Sequence, residues 1–514
     1  MADRKRLLII GTAQQCHIRD FLNSMDRSKT EVQLLLPERD RDAFNGEKTS
    51  FFSGAFHAFF PPLLKAILTF RPHEAVIVCG MTYDHDNVVR AVSFYANFYN
   101  LRIQTCIRNE LFTADPALKN GPIKEVSKWA GLGALALLIK AVSIFKPVRV
   151  GEIYSSRLGH LALDCELYLS EKELGRHDGY LDLFSFKDGQ VANQTLGKLF
   201  SRKMHINNNF RYLLEAVNFF NLTDKHSLKL NTRKISLGRD YECLIQQTDT
   251  HVSFTSAEKA RGRREIAALG LDPDRPHVCL LGRDSAFLQK TMPESDGDMQ
   301  EPRNMDISTL KAGAEELLRL GFNVIRIGSI VQEPLKIEHP NFADYACSGK
   351  QNDFMDVYLP ATCFFFVGAQ SGPMHVANTF RIPCLRINVV RLEVIEYCSP
   401  EDLALFKLIR SESSGRFLSI PEIIDAGISK WPIENFADSD FTVIDNTEDE
   451  LLEAIKEMYL RMKGEWAATD EDKRLQSQYR SYLKVSDYNP WYKTPISAYF
   501  LKKHADELFK SKDS

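Results

Sequence analysis

The sequence predicts an α/β protein built on parallel sheets, and three observations carry that reading. Short apolar runs end at glycine or proline and alternate with helical patterns. The runs are continuously apolar rather than alternating, as strands covered on both faces are. The alternation then restarts twice further along the chain, so more than one core is expected.

Length and composition agree. A chain of 514 residues exceeds what one hydrophobic core serves and points to two or three domains. Hydrophobic residues at 44% and charged residues at 26% are ordinary for a soluble globular protein. A formal net charge of -3 excludes a whole-molecule electrostatic grip on nucleic acid. The ten cysteines are scattered, without a CxxC pair, and Cys79, Cys279 and Cys363 lie in apolar runs. They read as buried thiols of a reducing, cytoplasmic compartment, not as a disulfide frame or zinc site. The apolar part of 1-MADRKRLLIIGTA-13 is too short for a signal peptide and reads as a first strand.

In order, residues 6–11 form a buried strand closed by glycine, Ile18–Met25 a helix, residues 31–36 a second strand stopped by Pro37, and residues 63–70 a helix. Residues 75–80 read as a third strand, 87–100 as an amphipathic helix and 101–107 as a fourth strand. Together they make a Rossmann-like N-terminal domain, 1–125. An apolar linker helix, 126–147, follows. A second α/β domain, 148–275, restarts with strand, glycine turn and helix over 148–173, adds a strand at 181–186 and a mostly helical Asn193–Asn221, and ends in a charged helix, 257–270.

The third α/β unit, 276–400, opens with 277-HVCLLGRDSAF-287. A polar loop (289–306), a helix closed by glycine (307–321), a strand (322–329), the segment 343–361 and a strand at 383–389 follow. The extension 401–514 is mainly helical; its helix over 447–464 begins with Thr447 as cap and Glu450 as capping-box partner.

The segment 129-WAGLGALALLIKAVSIF-145 is apolar apart from Lys140 and Ser143 and is flanked by Lys128 and Lys146. It falls short of the ~20 residues of a transmembrane helix. Two readings remain open: a buried or domain-linking helix, and a helix in a membrane interface anchored by Trp129 and the lysines.

In an open parallel sheet, ligands bind outside the carboxyl ends of the strands at a topological switch point. Three loops of the third unit stand at such ends: Gly282–Asp284, Gly328–Glu333 and Gly368–His375. In 366-FVGAQSGPMHVANTF-380, Gly368, Ser371 and Gly372 let backbone amides approach a ligand, and the helix starting near Pro373 offers its positive end. That is an anion site, most naturally for a diphosphate. Ser371 and His375 are donors to phosphate oxygens; Arg283, beside Asp284, and Arg326, before Gly328 and Ser329, are the charges that neutralise a diphosphate. Each loop alone is also read as a plain turn, and His375 as a core histidine. No Walker A sequence is present, and no GxGxxG follows the first strand, which excludes an ordinary NTPase or dehydrogenase. Asp84, His85 and Asp86 read as loop polars and a helix cap rather than metal ligands; no metal is expected.

The stretch 366-FVGAQSGPMHVANTFRIP-383 resembles the donor loop of lipopolysaccharide heptosyltransferases, with Gln370 where those enzymes usually carry an acid. More broadly, RLGHLA (157–162), GRDSAF (282–287), RNMDIST (303–309), VIRIGS (324–329), DFMDVYL (353–359), GRFLSIPEI (415–423) and the run from 445 to 458 resemble a bacterial family of glycosyltransferases of surface-polysaccharide clusters. The first 120 residues look separately like the amino-terminal half of a GT-B glycosyltransferase, especially 72-PHEAVIVCG-80 with the helix after it.

The resemblance implies a GT-B arrangement, with Rossmann-like units across a cleft, a nucleotide-sugar as co-substrate and no bound metal or other cofactor. It implies transfer of a sugar to a glycan or lipid-linked acceptor. An inverting enzyme then needs a base for the acceptor hydroxyl. His160 and Asp164 are the candidates, Asp84 a weaker one, with an orienting or structural role equally open for His160. Asp353 and Asp356 either hold a ribose or sugar hydroxyl or cap the helix they begin. A non-catalytic nucleotide-sugar or glycan-binding protein and a nucleotide-sugar epimerase are the alternatives.

Overall fold

A computed structural model gives the structure. It describes residues 5–11, 15–25, 29–37, 44, 49–52, 63, 65, 67, 68, 70–72, 74–78, 102–107, 110–113, 122–230, 240, 242–284, 302–392, 399–430, 436, 439–483 and 494–510. The expected helix over 87–100, the greater part of the loop 289–306, and Asp84, His85 and Asp86 lie outside the described residues.

The chain divides into two compact units. One comprises Met1–Gly151, Gly179–Phe184 and Asn207–Leu228; the other comprises Glu152–Asp178, Ser185–Ile206 and Lys229–Ser514.

In the first unit, strands β1 (Lys5–Gly11), β2 (Thr30–Pro37), β3 (Thr49–Phe52), β4 (Glu74–Val78), β5 (Arg102–Ile107) and β6 (Glu110–Thr113) form one sheet in the order β3-β2-β1-β4-β5-β6. Its first five strands pair in parallel, as the glycine-closed apolar runs predict. The edge strand β6 is antiparallel to β5, a hairpin that no apolar run announces. Helix α1 (Gln15–Asn23) packs Ile18, Phe21 and Leu22 on Leu7, Ile9 and Leu34. Residues 63, 65, 67, 68 and 70 are helical, in the expected helix 63–70, and helix α2 (Pro122–Ser143) precedes residue 148.

Strands β7 (Val148–Ile153), β8 (Leu181–Phe186), β9 (His205–Ile206) and β10 (Ser227–Lys229) form a four-stranded sheet in the order β10-β7-β8-β9. Helix α3 (Leu158–Glu173) follows β7. The expected helical stretch 193–221 is two helices, α4 (Gln194–Ser201) and α5 (Phe210–Phe219), broken by β9. Helix α6 (Ser256–Ala268) starts at a capping box of Thr255 and Glu258.

The second unit holds the other large sheet: β11 (His277–Leu281), β12 (Asn323–Arg326), β13 (Phe342–Asp344), β14 (Phe366–Gly368), β15 (Cys384–Val389) and β16 (Leu403–Phe406), in the order β13-β12-β11-β14-β15-β16. Every neighbouring pair is parallel. Every residue of β11, β12, β14, β15 and β16 is buried, which explains why they read as largely apolar runs, with His277, Asn323, Arg326, Arg386 and Asn388 as buried polar exceptions. Helices α7 (Lys311–Arg319), α8 (Asp353–Thr362) and α9 (Gly372–Thr379) connect them. The extension contains a two-stranded antiparallel ribbon, β17 (Leu408–Ser411) and β18 (Phe441–Ile444), ahead of helices α10 (Glu448–Lys463) and α11 (Asp470–Leu483). The capping box of Thr447 and Glu450 is present at the start of α10.

Both six-stranded sheets reverse direction of growth between their first and fourth strands. In the second unit that switch point lies between β11 and β14, with Leu281 in register with Gly368.

Candidate functional site

The chain leaves β11 at Gly282 and β14 at Ala369, side by side. Both glycines are forced by crowding. A Cβ on Gly282 would stand 2.5 Å from Ile307 Cδ1, and one on Gly368 would stand 3.0 Å from the Leu281 carbonyl oxygen. The backbone then turns through Gln370 and Ser371 into α9, with Pro373 in its first turn, where a missing N–H costs nothing. Ser371 is the N-cap residue, yet its side chain accepts no amide, and its hydroxyl oxygen is buried without a hydrogen-bond partner. The start of α9 therefore receives no side-chain cap from Ser371.

A second helix starts beside it. A Cβ on Gly159, in the first turn of α3, would lie 3.1 Å from His375 Cδ2 and 3.4 Å from Gly372 Cα. A Cβ on Gly372 would lie 3.2 Å from the Gly159 nitrogen. Further along, Thr379 Oγ1 donates to the Ala162 carbonyl at 3.3 Å, and Arg381, just past α9, pairs with Glu166 at 2.8 Å. Residues 159, 162 and 166 thus meet 372, 379 and 381 in rising order. The helices run parallel, and their positive ends coincide. Arg157, the N-cap residue of α3, also supplies no side-chain cap.

Three arginines surround this point. Arg283, half-buried after β11, has its guanidinium held down to about 9 from the ordinary 12.5, first by burial and then by the charges of Arg303 and Arg157. Among the described residues Arg283 makes no ion pair. Arg303 donates from Nη2 to the Gln370 carbonyl oxygen at 2.8 Å, and its neighbourhood is tied to β11 by the Met305 amide on the Arg283 carbonyl at 2.9 Å. Lys407, buried, donates to the Asn304 carbonyl at 2.8 Å and fixes the same segment. Arg283, half-buried beside two further guanidiniums and without an ion pair among the described residues, is costly to keep charged unless an anion joins it.

His160 is in the first turn of α3, its Nδ1 3.4 Å from Asp164 Oδ2, its ring edge-on to Tyr154 with centroids 4.9 Å apart. Asp164 is only 2% exposed. Among the described residues His160 Nδ1 makes no hydrogen bond, so Asp164 stands beside the ring as a buried charge.

Of the predicted residues, the structure brings together Gly282, Arg283, Gly368, Gln370, Ser371, Gly372 and His375 with His160 and Asp164. The others have separate engagements. Asp284 Oδ2 accepts the Gln332 amide at 2.9 Å, which joins the first loop to Gly328–Glu333. Gly328 has φ +157°, and a Cβ there would lie 2.8 Å from Val331, while Ser329 is exposed. Arg326, 1% exposed, pairs with Asp344 at 3.0 Å and donates to the Glu333 carbonyl. Asp353 accepts the Gln194 amide at 2.7 Å and so holds the start of α4; the cap of α8 itself is Asn352, accepting from Phe354 and Met355. Asp356 accepts from the Tyr345 hydroxyl at 2.9 Å, and burial raises its carboxyl to about 6. Arg157 and Arg303 are the residues that sequence reasoning passes over. Both lie within the quoted motifs RLGHLA and RNMDIST, and that is the only sequence signal they leave. Among the described residues no group of three or more His, Cys, Asp or Glu is placed to hold a metal ion.

No protein-family model matches the sequence, and no curated protein is similar to it. Solved structures similar to this chain include a family 9 glycosyl transferase from Veillonella parvula, at 10% identity and TM-score 0.24, over 90% of this chain and 98% of that one. The iron-containing glycosyltransferase TibC of enterotoxigenic E. coli matches at 14% and 0.25, over 48% of this chain and 59% of its own. A UDP-GlcNAc 2-epimerase from Neisseria meningitidis matches at 12% and 0.20, over 90% and 100%. Likeness at this level carries no argument about activity; the fold class rests on the strand orders above.

Proposed function

We propose that the protein is a GT-B-type glycosyltransferase that moves a sugar from a nucleotide-sugar to a glycan or lipid-linked acceptor. The observation that supports it most is the uncompensated Arg283, set with Arg157 and Arg303 at the parallel N-termini of α3 and α9, at the switch point of a Rossmann-type sheet. This is where a nucleoside diphosphate sits in such folds. The same charge stabilises the diphosphate as it departs, when its terminal oxygen gains the electron pair of the broken bond to the anomeric carbon.

In a direct displacement the acceptor hydroxyl attacks that carbon and must lose its proton. We assign His160 to take it. Asp164, 3.4 Å from Nδ1, then steadies the imidazolium.

The test is a panel of UDP-, GDP-, ADP- and CMP-sugars, read for protection against thermal unfolding and for slow hydrolysis. One donor is expected to protect and to be hydrolysed. His160→Ala should keep the protection and lose about 100-fold or more of turnover. Protection without turnover would identify a binder, and a changed sugar still on its nucleotide an epimerase. A chain that no nucleotide protects would end this reading.

A further inference from the structure

We propose that the outward face of α2 docks on an anionic lipid surface. The inward face is accounted for: Leu132, Ala136 and Ile139 are buried against Ala216, Val217, Val148 and Val150. Trp129 belongs to that side, its ring 5.6 Å from Phe219, and Lys128 is paired with Glu215 at 2.5 Å. Neither is the outward anchor that the sequence suggests.

The outward face is apolar as well. Ala130, Ala134, Leu137, Leu138 and Ala141 recur at helical spacing, and Ile144 and Phe145 extend the row past the last turn. Leu137 is 69% exposed, Ile144 81% and Phe145 91%. Half of the large hydrophobic side chains exposed among the described residues lie in this one row. An apolar face turned to solvent marks an interaction surface.

Charge selects the occupant. No Asp or Glu occurs from 126 to 151. Arg149 is satisfied by Asp182 at 2.7 Å, but Lys140 and Lys146, both exposed and bordering the row, make no ion pair among the described residues. A second copy on a two-fold axis would set this net positive patch against itself. Anionic headgroups complement it: the apolar row enters the acyl boundary while the lysines reach back to phosphate. No described helix is long and apolar enough to cross a membrane, so α2 would lie along the surface.

The test is flotation with vesicles of phosphatidylcholine, alone or mixed with phosphatidylglycerol, in the absence of nucleotide, so that its result is independent of the transferase reading. The protein should float with the mixed vesicles and release at high salt. Leu138→Glu with Phe145→Glu should reduce partitioning about tenfold or more. Lys140→Gln with Lys146→Gln should reduce it about fivefold per lysine. All four side chains are exposed, so unchanged thermal unfolding is expected and serves as the folding control. No flotation of the wild type, or flotation that these substitutions leave intact, would overturn the proposal. So would a dimer in sedimentation that the glutamates dissociate, which would assign the face to a second copy.

Discussion

Replacing Arg283 by Met separates stability from ligand binding in one substitution. Each tenfold in proton affinity is about 1.36 kcal/mol, so the fall from 12.5 to about 9 caps the cost of this charge in the ligand-free chain at about 5 kcal/mol. Arg283 is only half-buried, and solvent screens most of that, so a gain of about 1 kcal/mol is expected for Arg283→Met. In a chain of this size that raises Tm by about 1–2 °C. The sign holds at neutral pH. The folded chain disfavours the charged form at every pH below about 9, and the gain shrinks as pH rises past that value, where the folded chain sheds a proton that the unfolded chain keeps. Binding moves the other way. A lost charge-assisted bond to phosphate is worth about 1.5–3 kcal/mol, or about 10- to 100-fold in affinity. Scanning fluorimetry with and without pyrophosphate or UDP, with calorimetry for the affinities, reads both effects. A variant less stable than wild type without ligand, or one that binds pyrophosphate as well as wild type, would refute the reasoning.

Asp356→Asn tests the other perturbed group. Burial favours its protonated form, so the cost of the carboxylate is fully present above about 6 and absent below the ordinary 3.8. The variant should gain about 1 kcal/mol at pH 8 and nothing near pH 4 in urea unfolding, and a gain independent of pH would exclude the mechanism. Gly159→Val should push α3 from α9, because the new Cβ starts 3.1 Å from His375. A cost of about 1–3 kcal/mol and a tenfold or greater loss of pyrophosphate affinity are expected. Gly131→Ala, on a helix site with nothing within 4 Å, is the control that should cost nothing, and equal losses from both would point to general helix damage.

What the sequence reveals follows the range of the interaction that specifies it. β11, 277-HVCLL-281, is readable because burial on both faces demands apolar residues, which fill every position after His277. The box of Thr447 and Glu450 is readable because its partners are three residues apart. β6 and the β17–β18 ribbon are short and carry no long apolar run, and they are missed. The site is half legible. Its glycines and Arg283 mark the ends of strands, but the meeting of α3 with α9 depends on contacts such as Thr379 with Ala162, 217 residues apart. Arg157 acquires a role only once those helices are side by side. Arg326 shows the converse: its place at a strand end resembles that of Arg283, yet Asp344 in the neighbouring strand claims its charge.

The two ends of the α3 and α9 pair make the case for an anion by contrast. Where α9 ends, Arg381 takes a left-handed φ of +60° and donates to the Thr379 carbonyl at 2.9 Å, so the negative end of the helix has a cation and its carbonyls have donors. Glu166, fully buried, binds that same arginine and His251, the latter at 2.9 Å, and fixes the two helices in register. At the opposite end Ser371 caps no amide, and the charges acting on Arg283 are those of Arg303 and Arg157, of the same sign as the dipoles they face. The clasp at residues 166, 251 and 381 offsets the like charge gathered at the other end, and under the proposed function a ligand that brings negative charge there would relieve it.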